Sequence, residues 1–199
     1  LHPIWPAAYA ADYLFRGVPA VSLRSAPLPE KEVVELTNAP PRTYTYRTYP
    51  SRVPIENRQI IHINTTPMRH TRQAGVAWVN RFDQIVAARL DRRILFHTTS
   101  YERRNRVLMG SRFADDKILI SHGTQDLEQA VRDFTSRPAP TVLVSPSMTR
   151  GYDFPYDACR TVIVGKIPWP DGRNPLVKAR TDRDPDYASY AAMKVLIQE

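Results

Sequence analysis

The chain has 199 residues, of which 42% are hydrophobic, and this is enough for a substantial core in one domain plus part of another. Its 28 lysines and arginines exceed its 20 acidic residues, and the net charge of +8 favours a polyanion as the partner. A single cysteine excludes an internal disulfide, and no apolar run approaches the roughly 18 residues of a membrane span, so we expect a reducing, cytoplasmic setting.

The amino-terminal third alternates short regular segments with a long irregular one. Residues 5–15 predict a short helix with proline in its first turn, and residues 19–23 predict a strand. Residues 29–57 mix proline, threonine, tyrosine and arginine without a helical period, which indicates an extended crossing between two domains. We place the boundary near residue 45, so that residues 1–45 are the tail of a first domain and the crossing, and residues 46–199 a second domain.

Strands and helices alternate along the rest of the chain. A strand at 59–63 leads to a helix at 71–90 that carries Val76, Val79, Ile85 and Val86 on roughly one side. The remaining predicted elements are strand 93–97, helix 101–109, strand 117–121, helix 124–136, strand 141–145, strand 161–165 and helix 186–199. This order predicts an α/β fold with a parallel sheet and helices on both of its faces.

Two neighbouring strand ends carry the most distinctive residues. The apolar run at 141–144 feeds a loop that reads Ser-Met-Thr-Arg-Gly-Tyr-Asp-Phe-Pro over residues 147–155. The apolar run at 161–164 ends in a Lys-Ile-Pro-Trp-Pro loop over residues 166–170. In open α/β sheets, ligands bind just outside the carboxyl ends of the strands. We therefore expect the chemistry of this chain in these loops.

These two loops resemble the second motor domain of superfamily 2 DNA helicases of the XPD/DinG type. Residues 147–155 are similar to motif V of that family, and residues 166–169 to the Lys-(Leu/Ile)-Pro-(Phe/Trp) loop that follows it. Other matches lie in the family's order: motif III at 25–28, the crossing at 49–58, motif IV at 94–101, and the approach to motif VI at 174–180 and 190–198. The resemblance covers the chain from about residue 19 to its end.

The resemblance implies a RecA-like domain of an ATP-dependent helicase that translocates on single-stranded DNA, with RNA as an alternative. It assigns nucleotide binding and coupling to Gly151, Asp153 and Gln198. It assigns contact with single-stranded nucleic acid to Ser147, Met148 and Arg150. ATP and Mg²⁺ would be bound mainly by the first motor domain of the same parent chain, which is the implied protein partner.

The sequence departs from the family pattern at three places. It contains no Gly-x-x-x-x-Gly-Lys-(Ser/Thr) phosphate loop and no Asp-Glu-Ala-His box. It stops at Gln198-Glu199, where the family continues into Gly-Arg-x-x-Arg, and Pro27 replaces the threonine of motif III. We therefore expect a fragment of a longer helicase that does not run the ATP cycle by itself and has no complete catalytic site.

Two further strand ends offer groups that bind a nucleic-acid backbone. Thr99 to Glu102 predict a capping box, with Thr99 as N-cap and Glu102 at the third helical position, and Ser100 lies between them. The free amides of such a helix start can hold a phosphate, and Tyr101 can stack on a base. Thr124 resembles a backbone-binding hydroxyl of motor domains. The plain alternative is that both sites are only helix caps.

Two rival functions remain open on these residues. One is a nucleic-acid-binding α/β module that stands alone without ATPase activity, and the other is an α/β enzyme of a small substrate, such as a nucleotide-sugar transferase. The five histidines lack metal-ligand spacing and a single cysteine cannot hold an iron–sulfur cluster, so we expect no metal site and no cluster in this segment. The arginines at 103, 104 and 106 are typical of a solvated helix face.

Overall fold

The computed structural model of the chain describes residues 7–24, 30–40, 42–51, 53–57, 59–65, 72–147 and 152–198. The chain divides into two compact units, one formed by Leu1–Ile61 with Trp169–Gln198 and the other by His62–Pro168. The predicted boundary near residue 45 stays a prediction. None of the described helices is long and apolar enough to cross a membrane.

The amino-terminal unit begins with two helices that contact each other. Helix α1 spans Ala7–Ala10 and continues as a turn of π-helix over Ala11–Phe15, within the helix predicted at 5–15. Helix α2 spans Glu30–Thr37 and was not predicted, because we took residues 29–57 as extended. Its run of good helix formers ends at Asn38, whose positive φ of 51° closes the helix.

Two predicted strands in this part of the chain were wrong. Residues 19–23 and 59–63 have no regular structure. Ile60 is 97% exposed and Ile61 63%, so these β-prone side chains gain no burial. A strand needs a partner for its backbone groups, and in the described residues neither segment has a ladder with another strand. Local β propensity alone therefore misled the prediction.

The second unit contains one parallel sheet of four strands in the order β2-β3-β1-β4. In chain order its elements are helix α3 (Arg72–Ala87), β1 (Arg93–His97), α4 (Tyr101–Gly110), β2 (Leu119–Ser121), α5 (Leu127–Ser136), β3 (Thr141–Ser145) and β4 (Thr161–Val164). The predicted bounds of β1 and β3 are correct to the residue. The predicted fold class, a RecA-like α/β fold with a parallel sheet, is confirmed.

Helices cover both faces of the sheet, because alternate residues of each strand point to opposite sides. On one face Ile94 and Phe96 pack with side chains of α3 and α4. On the other face Leu95 and Leu143 pack with α5 and with the segment that connects β3 to β4. Cys159 lies half-buried in this second cluster, and burial raises the pKa of its thiol. The cysteine is thus a packing residue of this face.

The core face of α3 differs from the predicted one. Val76, one of the four residues placed on that face, is 53% exposed. Trp78 and Phe82 are buried instead, next to Val79 and Val86. The two aromatic side chains pack on Phe96 of β1, Phe82 stacked at 4.6 Å and Trp78 tilted at 5.4 Å between ring centroids.

Two helices follow the sheet and belong to the first unit. Helix α6 spans Pro175–Arg183 and was not predicted, although Asn174 as N-cap and Pro175 at the first helical position form a recognisable start. The Asn174 side chain accepts a hydrogen bond from the Leu176 amide at 2.9 Å. Helix α7 spans Tyr187–Gln198, close to the predicted 186–199.

Candidate nucleic-acid interface

The carboxyl ends of the four strands bring the predicted site loops to one edge of the sheet. Because the strands are parallel, the chain leaves each of them at the same edge, after His97, Ser121, Ser145 and Val164. Thr99, Ser100 and Tyr101 follow β1, Thr124 follows β2 and Ser147 follows β3. Met148, Arg150 and Gly151 lie outside the described residues.

The loop between β1 and α4 is strained and tightly held. The Thr98 amide donates to the Ser145 carbonyl at 2.9 Å, which extends the contact between β1 and β3 by one residue. Thr99 then takes a φ of 63°, a left-handed conformation that is rare for a β-branched residue. The next residue, Ser100, is extended and accepts a hydrogen bond from the Arg103 amide at 3.3 Å.

The predicted capping box at this position was wrong by one residue. Ser100 is the N-cap and Glu102 is the second helical residue. Glu102 does not close a capping box but pairs with Arg106 one turn later, at 2.6 Å. The reason is the Thr98–Ser145 hydrogen bond, which fixes the end of β1 and leaves Thr99 as the turning residue. Sequence alone offers two hydroxyl residues that can both cap a helix.

The arginines of α4 are not a solvated face. Arg103 is half-buried and donates from Nη1 to the hydroxyls of Thr99 and Ser100, at 3.1 and 3.3 Å. Arg104 is also half-buried, lies over the Tyr101 ring at 4.9 Å and donates to the His122 carbonyl. These two guanidinium groups therefore brace the strand-end loops, and they bring positive charge to the edge where we expect phosphates.

The loop between β2 and α5 is joined to the start of α4. The Tyr101 hydroxyl lies 3.5 Å from the Gly123 carbonyl. Thr124 is exposed, and α5 begins only at Leu127 with Asp126 before it. The alternative that Thr124 caps this helix is therefore wrong, and its hydroxyl is not used as a cap.

The loop after β3 begins with a buried serine and an exposed one. Ser145 is fully buried, and its hydroxyl accepts a hydrogen bond from the Ser147 amide at 3.3 Å. Ser147 itself is exposed. Further along, Asp153 is exposed next to Phe154, whose ring packs edge-on against Phe134 of α5 at 5.5 Å. The carboxylate of Asp153 is thus presented to solvent by an anchored segment.

Gln198 is the last residue of α7, and its side chain lies outside the described residues. It belongs to a different compact unit from Asp153. Within the described ranges, no group of three or more histidine, cysteine or acidic residues is placed to hold a metal ion.

The exit of β4 is fixed by a tryptophan. The Gly165 amide donates to the His97 carbonyl at 2.9 Å, and its own carbonyl accepts from Trp78 Nε1 at 2.8 Å. A side chain at Gly165 has no room, since a Cβ atom would lie 2.7 Å from the Trp78 ring. The Lys166-Ile167-Pro168 loop therefore starts from a fixed backbone position.

Buried polar residues beneath these loops were missed by the sequence analysis. His97 and His122 are 2% and 4% exposed. Burial lowers the pKa of His97, and a hydrogen bond with the Pro146 carbonyl opposes part of that shift. The only signal in the sequence is that each histidine stands at or just after a strand end, a position where buried polar groups can join neighbouring loops.

Comparison with known families adds one finding to this geometry. The family model described as helicase C-terminal domain matches residues 84–198. No curated protein matches the chain. The matched residues include all four strands of the sheet and the loops at their carboxyl ends. The chain therefore belongs to the helicase C-terminal domain family.

Proposed function

We propose that this chain acts as the second motor domain of an ATP-dependent DNA helicase of the XPD/DinG type. The observation that carries the proposal is the gathering of Thr99, Ser100, Tyr101, Thr124 and Ser147 at one sheet edge. The motif order from motif III to motif VI supports the same assignment, and so does membership of the helicase C-terminal family. Residues 46–199 would be this motor domain, and residues 1–45 the end of the preceding one and the crossing.

The strand-end loops are suited to the backbone of single-stranded nucleic acid. The first turn of α4 directs its amides toward the edge, and helix starts of this kind favour anions. Thr124 and Ser147 are exposed, and the Arg103 guanidinium places positive charge beside Thr99. Met148 and Arg150 complete the proposed contact on the motif V loop. These are mainly contacts to phosphate and sugar, which position a strand without reading its sequence.

The nucleotide would be shared between two motor domains. ATP with Mg²⁺, when bound, would supply the phosphoryl-transfer chemistry, and this domain would close on the bound nucleotide. This chain has no phosphate loop, so its own residues fit only part of the site. Gly151, Asp153 and Gln198 are the residues proposed to face the nucleotide or its coupling network. The exposed carboxylate of Asp153 is available for that role.

Oligonucleotide titration tests the DNA-binding half of the proposal. We expect weak binding of a fluorescent single-stranded oligonucleotide, with affinity falling roughly 20-fold between about 50 and 200 mM salt if about three phosphates are neutralised. Arg150→Ala should reduce the salt slope. The matched control is Arg132→Ala on α5, which removes the same charge from an exposed side chain paired with Glu128 and should leave the slope unchanged.

Hydrolysis assays separate the motor from the stand-alone binding module. The chain alone should hydrolyse no ATP above background, with or without DNA, because it has no phosphate-loop lysine. Addition of a motor domain that carries the phosphate loop should give DNA-stimulated hydrolysis. Binding of DNA without any stimulated hydrolysis in that mixture would favour the stand-alone module, and hydrolysis by the chain alone would contradict the motor assignment made here.

A further inference from the structure

A chain of buried hydrogen bonds runs beneath the loops that follow β2 and β3. His122 Nε2 lies 2.7 Å from the Ser145 hydroxyl, and His122 Nδ1 lies 2.6 Å from the Gly123 carbonyl. The Ser145 hydroxyl also accepts from the Ser147 amide at 3.3 Å. His122 is 4% exposed and Ser145 is fully buried. None of these contacts belongs to the backbone ladder of the sheet.

For a neutral His122 ring, the partners at the two ends set the direction of every hydrogen bond. A carbonyl can only accept, so Nδ1 of His122 carries the proton that it donates to Gly123. In the neutral ring Nε2 then accepts from the Ser145 hydroxyl, whose oxygen accepts from the Ser147 amide. Every donor and acceptor in this set of hydrogen bonds is matched. Such a fully satisfied buried network holds its members in one arrangement.

The start of α4 is tied to the same histidine. Arg104 donates to the backbone carbonyl of His122, and the Thr98 amide donates to the backbone carbonyl of Ser145. His122 and Ser145 are thus contacted from the β1–α4 loop, the β2–α5 loop and the loop after β3. These are the three loops that carry Thr99–Tyr101, Thr124 and Ser147.

We propose that His122 and Ser145 are positioning residues that hold these three loops in the arrangement that binds a nucleic-acid backbone. The inference rests on the proposed function for its binding role. It assigns neither residue a contact with the ligand, since both are buried. Their role is to hold the loops in one arrangement before binding. Binding then does not have to order the loops, which would cost affinity.

Ser121 provides a matched control for Ser145. It also stands at a strand end, and its hydroxyl donates to the Val144 carbonyl at 3.1 Å. That hydrogen bond joins β2 to β3 and involves neither Ser147 nor His122. Ser121→Ala deletes one hydrogen bond between two strands, whereas Ser145→Ala deletes two, with His122 and with Ser147. Only Ser145→Ala breaks the link between the loops.

The experiment measures amide hydrogen exchange and oligonucleotide affinity on the full chain. Ser145→Ala removes both hydrogen bonds of the Ser145 hydroxyl and should speed exchange of the Ser147 amide. Binding of a single-stranded thymidine oligonucleotide should weaken by about fivefold, because the released loops must then be ordered on binding. Ser121→Ala should change neither. His122→Leu should act like Ser145→Ala, whereas His122→Gln, which keeps an acceptor for the Ser145 hydroxyl, should restore part of the affinity.

Each outcome decides the proposal. Equal effects of Ser145→Ala and Ser121→Ala would overturn it, and so would faster Ser147 exchange with unchanged affinity in a chain that binds DNA. If His122→Leu fails to fold, the two serine variants decide alone. If the wild-type chain does not bind the oligonucleotide, the proposed function fails. Faster Ser147 exchange in Ser145→Ala then still supports the positioning role of the buried hydrogen bonds, and unchanged exchange overturns it.

Discussion

Gly165 joins the end of β4 to the aromatic core of the sheet. Its carbonyl accepts from Trp78, and the space where a side chain would begin is filled by the rings of Trp78 and Phe96, at 2.7 and 2.8 Å. Close approach of backbone to ring is therefore the reason for glycine at this position. The aromatic stack in turn fixes where the following loop begins.

Replacement of Gly165 should be costly although the added group is small. In Gly165→Ala the new methyl group must displace a buried ring, and we expect the free energy of unfolding to fall by about 1–3 kcal/mol. Gly172→Ala is the control, because no atom lies within 4 Å of its added Cβ. Urea denaturation of the three proteins measures the difference. Equal midpoints for the two variants would show that the rings move aside freely.

His97 gives the stability of the sheet a pH dependence. Burial holds the pKa of His97 below its usual value of about 6.5, so the unfolded chain binds a proton more readily than the folded one. The neutral histidine therefore contributes stability above the unfolded pKa, and that stability is lost as pH falls below it toward the folded pKa. We expect the unfolding free energy to drop between about pH 7.5 and 5.5.

Variants isolate the contribution of this histidine. His97→Gln should flatten the pH dependence between those two values, whereas His62→Gln, at an exposed position, should leave the wild-type slope. Chemical denaturation at each pH gives the three slopes. An unchanged slope in His97→Gln would assign the dependence to other groups.

At the scale of elements, the start of α4 tests the observed cap against the predicted one. Ser100→Ala should lower the unfolding free energy by about 1 kcal/mol, because it removes the cap of the Arg103 amide. Thr99→Gly should cost less, because glycine accepts the positive φ of 63° without strain, which offsets the loss of the hydrogen bond from Arg103 to the Thr99 hydroxyl. Thermal or urea unfolding of both variants shows which substitution lowers the unfolding free energy more. The reverse ranking would restore Thr99 as the cap.

The strands that could be predicted from sequence are those buried on both faces. Residues 93–97 and 141–145 read as continuous apolar runs, and their bounds were correct. Residues 59–63 are comparably apolar, but within the described ranges they form no ladder with another strand, which no local pattern reveals. Long-range contacts also limit prediction of the candidate site. The strand-end loops could be predicted from the order of strands, but His122 and Ser145 are 23 positions apart, so their hydrogen bond could not.

At the scale of the whole molecule, the proposed function would make this chain the part of a motor that binds nucleic acid and transmits domain closure. Its sheet edge gathers hydroxyls, helix amides and arginines, but its sequence contains no phosphate loop. Under the proposed assignment, contacts with the nucleic-acid strand and contacts with the nucleotide would lie on different residues, so that affinity and turnover could be changed separately. Variants in the motif V loop can therefore distinguish the two roles.

Substitutions of Asp153 and of Arg150 should impair different steps in a helicase that joins this domain to one with a phosphate loop. Asp153→Ala should reduce DNA-stimulated turnover by roughly tenfold, about 1.4 kcal/mol, even at saturating DNA. Arg150→Ala should weaken DNA binding and regain turnover when DNA is saturating, because a phosphate contact contributes affinity. Asp157→Ala, an exposed carboxylate on the same segment that pairs with Arg160, is the control and should keep full turnover. If Asp153→Ala behaves like this control, or loses turnover only by unfolding in a thermal melt, Asp153 is a loop residue without a coupling role and the motif V assignment fails.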